Sequence, residues 1–483
     1  MIIHHHDYDH DHEGAGAIHT HLTSVGIDIG SSTSHLMFSK LLIGYPAFQR
    51  RRPEVLDRRV IARSPILLTP FSGDWNIEAG PLRKLVEQTF QAANLKRNDI
   101  DTGAVIVTGE AARRDNASKI AAMFADEAGR FVCATAGPKL EAILAAHGSG
   151  AVARSRDQGS IVLNVDIGGG TTKISLIHRG FIQAITALNI GARLVVCDKH
   201  DRVVRLETGG KRFLSELGLR LQIGDKIEPR VLSNLAARMA KVLFDVLDGE
   251  PPPFDGLFIA EPMGNIPTVD EVIFSGGVSE YIYGREETAF GDLGPSFGSE
   301  VRSQAQRRGY RMMDSSEGIR ATVIGASQYS TQLSGETIFL SDATLLPLRN
   351  LRVFVVKVRW EPPVAEAAKK TVERALNGLD PEVKGVPFAL FFSSPPFLGY
   401  GVAQELARGI HAALLSIPKR DRPSLLVFEQ NIGRIVGEIL APDFGIPCVD
   451  EISLSDLDFI DVGERVPGEG FVPVVVKSLA FGV

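Results

Sequence analysis

The chain has 483 residues, 44% of them hydrophobic and 23% charged, with a formal net charge of −6. That length exceeds what one hydrophobic core serves and predicts roughly three domains. No uncharged apolar run reaches membrane-spanning length, and a pI near 6.1 argues against a nucleic-acid surface as the main business of the protein. Cys133, Cys197 and Cys448 lie far apart with no C-x-x-C spacing, so neither a disulfide framework nor a cysteine-bound metal is expected. A reducing cytoplasm fits this usage, as does an N-terminus without the pattern of a secretory signal.

In chain order, residues 1–22 gather His4, His5, His6, His10, His12, His19 and His21 among Asp and Gly. Such a tract builds no core; it reads either as a disordered tail or as a loose site for a soft divalent metal. Next, 23–40 reads as strand, tight turn, strand: Val25-Gly26-Ile27-Asp28-Ile29, then Gly30-Ser31-Ser32-Thr33, then a second apolar run. Arg50, Arg51, Arg52, Arg58 and Arg59 read as a solvated loop or a patch that pairs with acidic side chains, with a docking site for an anionic partner as the alternative. A helix near 81–93, a buried strand at 104–108 and helices over 117–128 and 137–146 set up an α/β alternation.

Residues 161–177, IVLNVDIGGGTTKISLI, then repeat the opening, with Asp166 on Asp28, Gly168 on Gly30 and Thr171 on Thr33. The offset is too long for a solenoid repeat. It suits two related lobes, 23–158 and 159–343, with a cleft between them. An amphipathic helix over 232–247, a proline-stiffened loop at 250–256 and a strand entering Gly276-Gly277 complete the second lobe. From 344 to 483 the alternation restarts, with strands at 353–358, 387–392 and 425–428 and helices near 366–376, 402–415 and 433–440, which predicts an additional C-terminal α/β domain. Its loop 393–401, SSPPFLGYG, either holds an anion at a helix start or is a plain connection.

A nucleoside triphosphate is held by backbone N–H groups that approach its phosphates wherever side chains are small. Gly30, Ser31 and Ser32 with Thr33, and Gly168, Gly169 and Gly170 with Thr171, meet that requirement twice. Each aspartate ends a strand at the mouth of its turn, where a carboxylate can hold Mg²⁺ directly or through waters. A single D-x-G-x-x-T turn is an ordinary glycine-rich hairpin; two of them, each with a buried charge that is costly without a ligand, predict a Mg-ATP cleft. Gly276 and Gly277, in Phe274-Ser275-Gly276-Gly277-Val278, add a third turn where adenine and ribose can lie flat. Asp166 is the candidate catalytic residue, orienting Mg²⁺ and the attacking water, with Asp28 as the other metal-side carboxylate. Glu110, in Thr108-Gly109-Glu110, is a further water-positioning candidate.

The order VGIDIGSST, LNVDIGGGTT, VIFSGG resembles the phosphate-1, phosphate-2 and adenosine motifs of the actin/Hsp70/sugar-kinase superfamily. AGPKLEAILAAHGSG at 136–150 and ATVIGA at 321–326 resemble its two connecting helices, whose small residues let them cross closely at a hinge. The resemblance implies an α/β fold of two actin/Hsp70-like (ribonuclease H-like) lobes around an ATP cleft, here with a C-terminal α/β domain added. At a finer level LTSVGIDIGSSTSHLMFSKL, VIVTGEAARRDNA, NVDIGGGTTKI, SGGVSEYIYG and DFIDVGERVPGEGFVPVVVKSLAFG resemble the reactivating factors of ethanolamine ammonia-lyase, a coenzyme-B12 enzyme, over nearly everything after the tail. That implies a weak, chaperone-like ATPase. It would release damaged cobalamin from the inactivated lyase so that intact adenosylcobalamin binds, in the cytoplasm and in association with an ethanolamine-utilization microcompartment. A homo-oligomer is compatible with this role.

The chain departs from the Hsp70 pattern at Ala134-Thr135-Ala136-Gly137, where such relatives carry a carboxylate before the first connecting helix. Slow hydrolysis is therefore expected. A metabolite kinase of this fold would need a small-molecule pocket and a general base facing the γ-phosphate, and the sequence offers no convincing pair. The iron–sulfur ATPases that activate acyl-CoA dehydratases look similar around 209–214 but would need cysteines beside that stretch, which has none. An ATP-binding scaffold or filament former is the other alternative, since fold alone does not choose among these uses.

Overall fold

The computed structural model describes residues 20–44, 54–72, 76–128, 132–315, 317–329, 331–334, 338–378, 385–395, 398–452, 459–465 and 471–477. His4 to His19 and Arg50, Arg51 and Arg52 lie outside them.

The first lobe begins with an apolar hairpin, β1 (Thr20–Ile29) and β2 (Thr33–Gly44), whose two strands are almost wholly buried. β3 (Glu54–Arg63) and the short β4 (Leu67–Leu68) pair antiparallel with β2. α1 (Ala79–Ala92) leads to β5 (Thr102–Val107), and α2 (Ala117–Ala128) to β6 (Val132–Ala136), both parallel additions on the other side of β1. The sheet order is thus β3-β2-β1-β5-β6. β5, TGAVIV, is buried along its length, as a parallel strand covered on both faces must be. One face packs through Ile27, Phe38, Leu82, Phe90 and Phe124.

After α3 (Pro138–Gly148) and α4 (Ala151–Gln158), the second lobe repeats the plan. β7 (Ile161–Ile167), β8 (Thr172–His178) and β9 (Phe181–Leu188) form the antiparallel meander. The hairpin β10 (Val195–Cys197) and β11 (Val203–Leu206), then α5 (Thr208–Glu216) and α6 (Pro229–Leu247), precede β12 (Glu271–Ser275). α7 (Ser279–Ile282) and α8 (Gly294–Arg307) lead to β13 (Met312–Met313). The order β9-β8-β7-β12-β13 reproduces that of the first lobe: three antiparallel strands, with two parallel ones beside the first of them. Both lobes are therefore ribonuclease H-like.

The lobes exchange helices. α3 leaves the first lobe and lies on β7, β8 and β9 of the second, while α9 (Ala321–Tyr329) leaves the second and lies on β1, β2 and β5 of the first. They cross where a side chain is not tolerated: a Cβ on Gly148 would stand 1.9 Å from the Ala321 carbonyl oxygen, and one on Gly325 2.2 Å from that of Leu144. His147 and Tyr329 stack at 4.4 Å beside the crossing. Gly26 on β1 is equally crowded, its Cβ position 2.5 Å from the Val323 oxygen.

The third unit is one sheet in the order β14-β20-β19-β15-β16-β17-β18. β14 spans Thr331–Leu333; β15 (Leu348–Val356), α10 (Val364–Asn377), β16 (Phe388–Phe392), α11 (Tyr400–Leu415), β17 (Leu425–Phe428), α12 (Gly433–Leu440) and β18 (Cys448–Val449) form its parallel half. β19 (Phe459–Val462) and β20 (Pro473–Lys477) close it antiparallel. The three helices share one face, packing on Phe388, Phe392 and Phe428.

Pairing redraws some expected boundaries. β1 starts at Thr20, inside the stretch read as tail, and β14 falls within 159–343 yet joins the third sheet. With α9 lying on the first lobe, the compact part of the second lobe ends before Ala321. Arg58 and Arg59 belong to an edge strand instead of a loop; the Arg58 guanidinium lies 4.5 Å over the Tyr329 ring, and its Nε donates to the Gln328 carbonyl at 3.2 Å. In the loop at 393–401 the Ser394 N–H donates to the Glu429 carboxylate at 3.0 Å, and the helix starts only at Tyr400. Among the described residues, no helix is long and apolar enough to cross a membrane.

Gly325→Ala is expected to lower stability by about 1–3 kcal/mol, the usual penalty for overpacking, because a backbone carbonyl and not a flexible side chain stands in the way. The urea midpoint of the first unfolding transition reads this; an unchanged midpoint would contradict the close crossing.

Candidate functional site

The two hairpin turns face each other across the gap between the lobes. In each, the first glycine donates back to the threonine that ends the turn: Gly30 N–H to Thr33 O at 2.9 Å, Gly168 N–H to Thr171 O at 3.0 Å. They line one cavity of about 290 Å³ together with Asp28, Asp166, Gly276 and Gly277. The structure thus gathers in one place two runs far apart in sequence, Gly30, Ser31, Ser32 and Thr33 with Gly168, Gly169, Gly170 and Thr171. Glu110 follows Gly109 in the short turn Gly109–Arg113; its side chain is outside the described residues.

The turns nearly touch. A Cβ on Gly169 would meet Ser32 Oγ, and Gly109, with φ of 57°, brings its backbone against Ser31 Oγ. On one side Arg205 of the second lobe donates to the Ser31 carbonyl at 3.0 Å, and Glu207 pairs with both Arg205 (2.8 Å) and Arg114 of the first lobe (3.4 Å). On the other, Arg320 Nη2 donates to the Ser64 carbonyl at 3.2 Å, and Arg63 pairs with Glu317. Behind the second turn, Ala192 and Arg193 N–H groups donate to the Gly168 and Gly169 carbonyls at 3.1 and 2.6 Å. Gly191 fits there because a Cβ would lie 2.4 Å from the Gly169 oxygen.

Charge is concentrated at the base of the cleft. Asp28, Asp166, Glu141 and Lys173 are all buried and all line the cavity. Lys173 Nζ donates to Glu141 Oε1, Ser275 Oγ to Asp166 Oδ1 at 2.7 Å, and Thr108 Oγ1 to Asp28 Oδ1 at 3.3 Å. The Gly109 N–H is a further donor to Glu141. Burial, reinforced by Glu141 and Asp166 and opposed by Lys173, pushes the Asp28 carboxyl up to about 8. Burial also raises Glu141 and Asp166, with Lys173 opposing in both cases. His35, across the hairpin from Asp28, is held neutral by burial and by Arg320, down to about 3. Three carboxyl groups face one lysine here; among the described residues no three acidic, His or Cys side chains come together as a metal-ligand group, so a cation would rest on one or two carboxylates and waters, as Mg²⁺ does.

Glu141 and Lys173 were not singled out from sequence. Glu141 lies in the first turn of α3, inside AGPKLEAILAAHGSG, and places a carboxylate one helical turn beyond Ala134–Gly137. The signal for Lys173 was present in the repeat: it is the β8 residue in register with Asp166, as His35 is the β2 residue in register with Asp28.

Two ribonuclease H-like lobes, exchanged connecting helices and an acidic cleft between duplicated glycine turns define a two-lobed protein of the actin/Hsp70/sugar-kinase fold class. Residues 20–482 match the family described as ethanolamine utilisation protein EutA, and the chain belongs to that family. It is 32% identical over 473 residues, 95% of this chain and 98% of each relative, to the ethanolamine ammonia-lyase reactivases EutA of Salmonella typhimurium (strain LT2) and of Escherichia coli (strain K12). Similar solved structures include component A of the Acidaminococcus fermentans (R)-2-hydroxyglutaryl-CoA dehydratase, at 14% identity and a TM-score of 0.34 over 64% of this chain and 97% of that one. The ethanolamine utilization protein EutJ of Carboxydothermus hydrogenoformans matches at 14% identity and a TM-score of 0.33, over 64% and 89%.

A carboxyl raised in the fold is ionised in the unfolded chain first, so the ligand-free protein loses stability as pH climbs from about 4 to about 8. Asp28→Asn removes that loss. The variant is expected to melt above the wild type at pH 9 and close to it near pH 4; equal melting at both would show that the fold does not raise the Asp28 carboxyl.

Proposed function

We propose that this chain is an ATP-dependent reactivating factor for a cobalamin-dependent ethanolamine ammonia-lyase, releasing damaged cofactor so that intact adenosylcobalamin can enter. The observation that carries the reading is the acidic cleft between duplicated phosphate turns, in a chain that aligns over 98% of relatives named for reactivating that lyase. In this reading the N–H groups of 31–33 and 169–171 cradle the phosphates, the Gly30 and Gly168 N–H groups closing the turns, with the Thr33 and Thr171 hydroxyls as added donors. Asp28 and Asp166 would hold Mg²⁺, which when bound neutralises phosphate charge. Glu141 orients the attacking water and takes its proton, while Glu110 stays a second candidate on sequence grounds. Burial raises the Glu141 carboxyl, which suits a base, and Lys173 opposes that rise without reversing it.

The nucleoside rests on Gly276 and Gly277 beside Tyr281, whose ring is pressed onto α8 where Gly294 and Gly298 leave it room. A nucleotide bridging both turns favours the closed arrangement held by Arg205–Ser31 and Arg320–Ser64; its hydrolysis loosens the bridge, and the lobes turn about the α3/α9 crossing. That rotation is the work delivered to the lyase. The site of action would be the cytoplasm, in association with an ethanolamine-utilization microcompartment.

Mixed with cyanocobalamin-inactivated lyase, ATP, Mg²⁺ and fresh adenosylcobalamin, the protein is expected to restore ammonia release; no recovery with active components overturns the proposal. Glu141→Gln should slow ATP hydrolysis by about 10²-fold, the scale of losing a general base, with the fold intact by circular dichroism. Sedimentation of the same mixtures separates a discrete complex with the lyase from polymers formed with ATP alone, and also reads any homo-oligomer.

Gly191→Ala tests the cradle itself. Its Cβ presses on the backbone of Gly169 and Gly170, and a displacement of ~1 Å in a site can reduce turnover about 10²-fold. Turnover within a factor of about two of wild type would place the phosphates elsewhere.

A further inference from the structure

Where the connecting helices cross, one aromatic ring is shared between the two lobes. Tyr329, the last residue of α9, stacks on His147, near the end of α3, with ring centroids 4.4 Å apart and planes 26° from parallel. The Arg58 guanidinium of β3 lies over the same phenol ring at 4.5 Å. Burial, with Arg58 and Arg156 adding repulsion, holds His147 down to about 4, so its imidazole meets the phenol as a neutral plane.

The three side chains travel with different lobes. Arg58 and Tyr329 are fastened to the first: Arg58 Nε donates to the Gln328 carbonyl at 3.2 Å, Gln328 Nε2 donates to Ser39 Oγ of β2 at 3.2 Å, and the Ser39 and Ser327 hydroxyls share a hydrogen bond of 2.9 Å. His147 rides on α3, which is tied to β8 of the second lobe where Ser175 Oγ donates to the Ala142 carbonyl at 3.3 Å and Lys173 donates to Glu141. Arg58 and Tyr329 therefore move as one piece, and a rotation of the lobes slips at the face between His147 and Tyr329. That face lies close to the axis, because the next residue, Gly148, is the one pressed on the Ala321 carbonyl. At so short a radius the rings shear past one another before they part. Flat rings pushed out of register lose contact, and a contact that differs between two arrangements biases the equilibrium between them.

Building on the reading of the cleft as a nucleotide site whose opening turns the lobes, we infer that His147 and Tyr329 are positioning residues of the hinge, their stack holding the lobes in the latched alignment that retains nucleotide. They act through the α3/α9 crossing, since neither lines the cleft. Arg58 serves the same end from the first-lobe side by keeping the Tyr329 ring in place for His147 to slide on.

The test follows release of a fluorescent Mg-ADP analogue from the full chain by stopped flow, with thermal unfolding alongside, for the wild type, His147→Ala, His147→Phe, Tyr329→Leu and the double variant His147→Ala/Tyr329→Leu. His147→Ala and Tyr329→Leu are each expected to release the nucleotide about two- to tenfold faster, the worth of one aromatic pair. The double variant should be no faster than the quicker single one, because both changes break the same contact. His147→Phe keeps a flat ring and should stay near the wild-type rate. A purely structural role would lower the unfolding temperature and leave release unchanged. Wild-type release in a folded His147→Ala, release from His147→Phe as fast as from His147→Ala, or effects that multiply in the double variant overturn the inference while leaving the nucleotide cleft standing. A wild type that binds no Mg-ADP overturns both. If Tyr329→Leu does not fold, His147→Ala and His147→Phe decide by the same comparison.

Discussion

Three carboxyl groups and one lysine amine buried together, between lobes joined at a hinge and a pair of latches, set the terms for this protein. In a low-dielectric gap, like charges repel far more strongly than on a surface. Hydrogen bonds from Thr108, Ser275 and the Gly109 backbone answer only part of that demand. Burial therefore raises all three carboxyls, and a bound cation would oppose that rise. No single unit owns the arrangement: Asp28 comes from the first lobe, Asp166 and Lys173 from the second, and Glu141 from the helix that joins them. Lobe closure and ligand charge are consequently linked, because opening the gap hydrates all four groups at once.

The duplicated backbone makes the differences between the halves informative. The same turn, the same hydrogen bond from its first glycine and the same strand order occur twice. What differs is the side chain across the hairpin, and with it the division of labour. The second lobe holds its lysine against a carboxylate, while the first keeps an imidazole free of internal partners.

Much of this was legible in the residues because turn chemistry is local. Asp-x-Gly-x-x-Thr reports its own conformation, and two copies report a cleft. The small residues of Ala321–Ala326 foretold a close helix crossing, since only atoms as small as hydrogen fit at Gly325. Glu141 was hidden for the opposite reason. In sequence it looks like any acidic residue in the first turn of a helix, and only the crossing of α3 onto the second lobe buries it. Lys173 was masked because β8 is buried on both faces, which erases the alternation that would have marked an inward lysine. β14 escaped notice because three residues carry no periodicity; its partner, β20, lies at the far end of the chain.

α9 ends at Tyr329, and β14 begins at Thr331. The helix that forms half of the crossing thus runs almost directly into the third sheet. Leu333 and Phe471 of that sheet pack on Leu22, Leu41 and Ile43 of the first lobe, and Arg349 pairs with Asp126 at 3.7 Å. The third domain is thereby fastened to the first lobe, like a handle fixed to one blade of a pair of shears. A large protein gripped by the handle and by the second lobe would feel the full angular travel of the blades, multiplied by the length of the arm.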